Sequence, residues 1–249
     1  MKLSVCVEAL YNGKDFANSM SEIKSLGIDA VEFWSWWDKD IDKMNRARKE
    51  LDMHISTFCT KMISLVDPSV RPEYISGLKE SIAVAKTLGC KCLISQVGNE
   101  REGVSREDQH KSLVARLKEC APILENEDIT LVIEPLNTTV DHAGYYLWES
   151  DEGAEVVHEV NSPKVRMLFD IYHQQIMEGD VIRRSTKHID SIGHIHAAGN
   201  PGRHELDIGE LNYRAIFAAL DEAGYKGYIG LEYFPLQEAK IGLLPWIQK

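Results

Sequence analysis

Apolar residues along the chain fall into eight short runs, each rich in β-branched or aromatic side chains, separated by longer segments of mixed polarity. The runs are LSVCVEAL (3–10), DAVEFWS (29–35), HISTFCT (54–60), KCLISQV (91–97), TLVIEP (130–135), VRMLFDI (165–171), SIGHIHA (191–197) and YIGLEYF (228–234). Runs this short, bounded by Gly, Pro and Asp, predict strands buried on both faces. Between them apolar residues recur at three- and four-residue spacing. Phe16-Ala17, Met20, Ile23-Lys24 and Leu26 predict a helix that stops at Gly27. Ile75, Leu78, Ile82, Ala85 and Leu88 predict another, stopping at Gly89. Leu113, Leu117, Cys120 and Leu124 mark a third, and Tyr213, Ile216-Phe217 and Leu220 a fourth that stops at Gly224. Weaker helical patterns cover 39–52, 151–160 and 176–188.

Strand–helix alternation repeated eight times over 249 residues predicts an α/β fold, a single (β/α)8 TIM barrel filling 1–249 as one domain. A doubly wound open sheet would carry a glycine-rich phosphate turn after its first strand, and EALYNGKD is not one. Composition changes little: 44% hydrophobic and 27% charged residues are ordinary for a globular enzyme. The net charge of −11 argues against nucleic acid, and the densest basic run, RRSTKH at 183–188, reads as a solvated helix face. No run reaches the ~18 apolar residues of a membrane span, and MKLSVCVEALYNG is too short and too polar for a signal peptide. Cys6, Cys59, Cys90, Cys92 and Cys120 form no even framework and read as free, mostly buried thiols. Asn137-Thr138-Thr139 matches a glycosylation sequon without other secretory signs, so a cytoplasmic location is expected.

A barrel carries its chemistry at the carboxyl ends of its strands. Glu134, Asp170, His196 and Glu232 fall at that end of strands five to eight. Neighbouring strands lie ~4.8 Å apart, so four consecutive ends can converge on one ion. Three carboxylates and an imidazole suit a divalent metal ion such as Mn, Mg or Co, with Zn also admissible. His173 is expected in the loop just beyond strand six. His194 shares the inward phase of His196 one layer deeper, as a satisfied interior histidine. Glu8 and Glu32, near the ends of strands one and two, are candidates to hold a substrate hydroxyl or a neighbouring ligand.

The wording around these residues resembles a known family. EPLNTTVDHAGYYL (134–147), FDIYHQQIMEGD (169–180), GHIHAAGNPGRHELDIGELNY (193–213) and GYKGYIGLEYFP (224–235) look like the hydroxypyruvate isomerases. Those enzymes belong to the xylose isomerase-like TIM barrels, alongside ketose 3-epimerases. The resemblance is close over roughly 130–235 and collinear before that. It implies that Glu134, Asp170, His196 and Glu232 bind the metal, that Glu134 and Glu232 double as acid/base groups, and that His173 and Arg203 contact substrate. Two departures stand out: His196 where these isomerases often carry Gln, and WSWWDKDI (34–41) after strand two.

The residues support the same chemistry. Moving a proton between adjacent carbons of an α-hydroxycarbonyl passes through an enediolate, whose charge a metal ion stabilises. One carboxylate removes the proton, and it or a second returns it. Return to the neighbouring carbon is isomerisation; return to the same carbon from the other face is epimerisation. Arg203, in the turn NPGRHE, offers a fork for a carboxylate or hydroxyls, and Trp34, Trp36 and Trp37 are candidates to wall the pocket from water. The expected partner is a small hydroxycarbonyl or sugar, and a homo-oligomer is left open. A three-zinc repair nuclease on this barrel needs further His at the ends of strands three and four, where Cys59-Thr60 and Gln96 stand. A Schiff-base aldolase needs an inner lysine, and Lys61 is expected in a loop. A metal-dependent dehydratase and a non-catalytic sugar-binding barrel complete the alternatives; the latter would be expected to lack one of the two Glu.

Overall fold

A computed structural model describes residues 1–247. Eight parallel strands close into a barrel in sequence order: β1 (Lys2–Cys6), β2 (Ala30–Phe33), β3 (His54–Cys59), β4 (Cys92–Ser95), β5 (Thr130–Ile133), β6 (Val165–Asp170), β7 (Ile192–Ala197) and β8 (Tyr228–Leu231), with β8 pairing back onto β1. The closed sheet rules out the open doubly wound alternative. Around it, in chain order, lie α1 (Val7–Leu10), α2 (Phe16–Ser25), α3 (Ile41–Glu50), α4 (Arg71–Leu88), α5 (Arg106–Glu127), α6 (Ser150–Val160), α7 (Ile171–Met177), α8 (Val181–Lys187), α9 (Tyr213–Glu222) and α10 (Ala239–Ile247).

Helix starts follow short polar side chains that take the first free amides. Asp15 accepts from Asn18, Asp40 from Lys43, Ser105 from Asp108 and Asn212 from Ala215. At the other end Gly89 closes α4 in the left-handed region at φ 67°, as its sequence position predicts. Three boundaries differ from expectation. Strand one ends at Cys6, and Val7–Leu10 turn into a helix, so Glu8 leaves the sheet before its end. The pattern at 176–188 is two helices, parted where Gly179 and Asp180 both take positive φ. Finally α10 has no counterpart in the predicted pattern.

The main apolar core lies between strands and helices, with a smaller cluster of Cys59, Ile94, Val132 and Leu168 inside the barrel. Part of the interior is polar. Ser4 and Ser56 share a hydrogen bond at 2.6 Å, and Ser56 donates to Glu32 Oε2 at 3.0 Å. Buried polar groups of this kind are tolerated because each finds a partner. All five cysteines are free, and all but Cys92 are buried. No helix among the described residues is long and apolar enough to cross a membrane.

Candidate active site

Side chains two residues apart on a strand share a face. The phase that puts Val132 and Leu168 inside the barrel therefore also points Glu134 and Asp170 inward, just past β5 and at the last residue of β6. His196 on β7 sits opposite Asp170 on one side and Gly230 of β8 on the other, and Glu232 follows two residues after Gly230. These ends open into a cavity of about 560 Å³ whose lining includes Glu134, His173, His196, Arg203 and Glu232.

The four residues expected to form a metal centre do come together. His196 Nδ1 lies 3.6 Å from Glu134 Oε1 and 3.4 Å from Glu232 Oε2, yet accepts or donates no hydrogen bond. One atom each from Asp170, His196 and Glu232 falls within 4.8 Å of the others. All four side chains are buried. A buried imidazole nitrogen facing two carboxylates, with a third beside them, is a donor set suited to a divalent cation. A second triad, Glu134, Asp170 and His173, meets the same distance criterion.

The charges are strongly coupled. Burial disfavours the ionised Glu232, but His196 and Arg203 override it and hold the carboxyl well below its usual range. Burial pushes the Asp170 carboxyl up, against the pull of Arg203 and His196. His196 is driven well above the ordinary histidine value because Glu232 and Glu32 outweigh its burial. His173 goes the other way, to about 3, through burial and the nearby Arg203 charge.

Arg203 reaches the site from a left-handed backbone position, φ 57°, just after Gly202 at φ 98°. Its guanidinium pairs with Glu232 and, at 3.5 Å, with Asp170 Oδ2, and lies over the Tyr172 ring. Its fork is thus turned onto protein carboxylates, while its buried Nε has no partner. His173 is in the first turn of α7 and not in a loop. Asp170 Oδ1 caps that turn, accepting from Tyr172 N at 2.8 Å and His173 N at 3.3 Å.

The remaining candidates separate. Glu32 lies between two histidines: His194 Nε2 is 3.1 Å from its Oε2, and His196 Nε2 is 2.9 Å from its Oε1 without hydrogen-bond alignment. It fits there because β8 carries Gly230, where a Cβ would come within 2.1 Å of Glu32 Oε1. Burial raises the Glu32 carboxyl, but the two histidines override it and bring it to about 2. Glu8 is not part of the cavity; it anchors the loop after β2 by accepting from Trp34 N, Ser35 N and Lys39. Of the three tryptophans only Trp34 lines the cavity, while Trp36 donates to Ser81 and Trp37 is exposed. Lys61 is in a loop and pairs with Glu80, as expected of a residue outside the chemistry.

Asn137 is the residue that the sequence patterns did not single out for the site: it heads a sequon without other secretory signs, and it is fully buried against His173. Its position three residues after Glu134, at a strand end, is the signal that marks it.

Residues 20–249 match the family model described as the xylose isomerase-like TIM barrel. Hydroxypyruvate isomerase of Escherichia coli (strain K12) is 30% identical over 252 residues, covering 98% of this chain and 97% of its own. A 2-oxo-tetronate isomerase of Cupriavidus necator is 45% identical over 117 residues, 47% of this chain and 45% of its own. The crystal structure of a protein named AP endonuclease, family 2, from Brucella melitensis matches with a TM-score of 0.92 at 28% identity, covering 98% of both chains.

Proposed function

The chain belongs to the xylose isomerase-like TIM barrel family, and from that premise we propose that it isomerises a small α-hydroxycarbonyl compound through an enediolate. The substrate class is that of hydroxypyruvate or a short sugar or sugar acid, as the names of the isomerase relatives suggest. The observation that carries the reading is the approach of both Glu134 and Glu232 to His196 Nδ1, at 3.6 and 3.4 Å, within one cavity.

Glu134, Asp170, His196 and Glu232 would hold a divalent cation. That ion supplies electrostatic stabilisation for the negative charge that gathers on the two substrate oxygens. The two glutamates differ in restraint. Trp34 and Arg203 tether Glu232 by both oxygens, whereas no hydrogen bond among the described residues ends on the Glu134 carboxylate. Glu134 is accordingly assigned the first proton abstraction from carbon. Glu232, ionised at rest, takes the substrate hydroxyl proton and returns it to carbon, while Glu134 passes its own proton to the oxygen left without one. Arg203 and His173 orient the substrate oxygens. Trp34 and Phe234, 6.5 Å apart and edge to face, shield one wall from water.

Two carboxylates in one site also permit 3-epimerisation, in which Glu232, carrying the proton taken from a substrate hydroxyl, protonates the carbon that Glu134 deprotonates. The nuclease reading raised by the name of the Brucella structure is disfavoured by Gln96 and Cys59, which line the cavity where extra histidine ligands would be needed. Incubation in D2O with hydroxypyruvate and a panel of small ketoses and hydroxy-oxo acids tests the proposal. Deuterium on the carbon that carried the original carbonyl, with the isomer formed, is the expected result. Uptake with inversion at a single carbon selects the epimerase, and no uptake from any substrate rejects both.

A further inference from the structure

His173 has two possible roles in this cavity. It belongs to a triad with Glu134 and Asp170 spaced for a metal ion, its Nε2 lying 3.5 Å from Asp170 Oδ2, and its ring also lines the cavity in which a substrate would sit. Which role it takes depends on which ring nitrogen carries the proton, since a metal ligand needs a lone pair and a hydrogen-bond donor needs N–H.

The proton position follows from Asn137. Backbone amides of Val140 and Asp141, which can only donate, reach one end of the Asn137 side chain at 3.0 and 2.9 Å. That end is therefore the carbonyl Oδ1, and the other is the NH2 group. The NH2 donates to Asp141 Oδ2 at 2.7 Å, an acceptor, which fixes the same orientation independently. Its second hydrogen goes to His173 Nδ1, also at 2.7 Å. The Asn137 backbone N–H points at the same nitrogen from 3.3 Å. With two donors on Nδ1, the neutral ring carries its proton on Nε2. That Nε2 is buried without a hydrogen-bond partner, 3.5 Å from Asp170 Oδ2.

We propose that Asn137 is a positioning residue that fixes His173 as an Nε2–H donor to a substrate oxygen and excludes it from the metal ligand set. The proposal rests on the reading of this cavity as the substrate site. It narrows the candidate ligands to Glu134, Asp170, His196 and Glu232, and gives the sequon asparagine a task inside the barrel mouth. A buried donor of fixed direction discriminates between substrates: those that place a carbonyl or hydroxyl oxygen at Nε2 gain a hydrogen bond, and those that do not leave a buried N–H unpaired.

The test inverts the hydrogen bond without emptying the space. In Asn137→Asp the group facing Nδ1 becomes an acceptor, which draws the ring proton to Nδ1. Because the new carboxylate would also face Asp141, the swap N137D/D141N restores that contact and guards against simple misfolding. The readout is the imidazole 15N spectrum of His173, with circular dichroism as the folding control. The wild-type chain should show the proton on Nε2, unchanged when Mg is added, and the swap variant should show it on Nδ1. A wild-type ring protonated on Nδ1, a swap variant that keeps Nε2–H, or loss of the Nε2 proton on adding Mg overturns the proposal. Where the wild type turns over a substrate, the swap should lower kcat/KM by on the order of tenfold and leave Mn affinity unchanged. Failure of every substrate counts against the isomerase reading alone, because the tautomer is read without turnover.

Discussion

The indole Nε1–H of Trp34 donates to Oε1 of Glu232 at 2.5 Å, joining the loop after β2 to the end of β8. Glu8 holds that loop from below, so the orientation of one carboxylate depends on a residue outside the cavity. Trp34→Phe keeps an aromatic wall against Phe234 but removes the donor. A hydrogen bond to a charged group is worth about 1.5–3 kcal/mol, so kcat should fall by roughly ten- to a hundredfold, with the melting temperature little changed. Steady-state kinetics beside a thermal melt checks this; an unchanged kcat would reduce Trp34 to packing.

Glu134→Gln and Glu232→Gln should each remove turnover while the barrel still folds, because both side chains project past the packed strand layers. General acid–base groups contribute about 10²–10⁴-fold, so losses of at least a hundredfold are expected. Activity near that of the wild type in either variant would sink its assignment as a proton-transfer group.

Chelator treatment followed by dialysis should stop turnover, and Mn or Mg should restore it. The measurement is activity against added metal, with total metal determined by elemental analysis. Full activity in protein carrying no stoichiometric metal would count decisively against an ion held by Glu134, Asp170, His196 and Glu232.

Far from the cavity, His110 on α5 sits between Glu152, 3.3 Å from Nδ1, and Glu159, 2.9 Å from Nε2. Burial disfavours its charged form, but the two carboxylates override this and raise its pKa. A raised folded-state value stabilises the fold fully below the unfolded value, about 6.5, and the gain is lost as pH rises through the folded value. His110→Gln should therefore lower the melting temperature more at pH 5.5 than at pH 9. A difference that does not change with pH would remove the ionic role.

The barrel was legible because its code is periodic. Eight apolar runs and the intervening helical spacing yielded the strands to within a few residues, and the strand-end acids fell into place through alternation. What escaped was local or long-range. Val7–Leu10 carries the same apolar pattern as a strand, and only closure of the barrel decides that it turns away. The break at Gly179-Asp180 is a backbone event inside a continuous helical pattern. Glu32 and Trp34 find their partners on β7 and just past β8, contacts across 162 and 198 residues of chain that no spacing rule reaches. Asn137 was hidden by a surface motif whose three letters say nothing of burial.

Asp170 divides its oxygens, Oδ1 to the first amides of α7 and Oδ2 toward Arg203 and His173. One carboxylate thus starts a helix and neutralises a cavity at once. Any substitution there slackens the turn that aims His173 and frees Arg203 from one of its two anchors. Damage at 170, 173 and 203 is consequently not additive, and coupling between such neighbours runs to about 0.5–3 kcal/mol. On the proposed reading, loss of a ligand and loss of substrate alignment would be overlapping injuries in this barrel rather than separable ones.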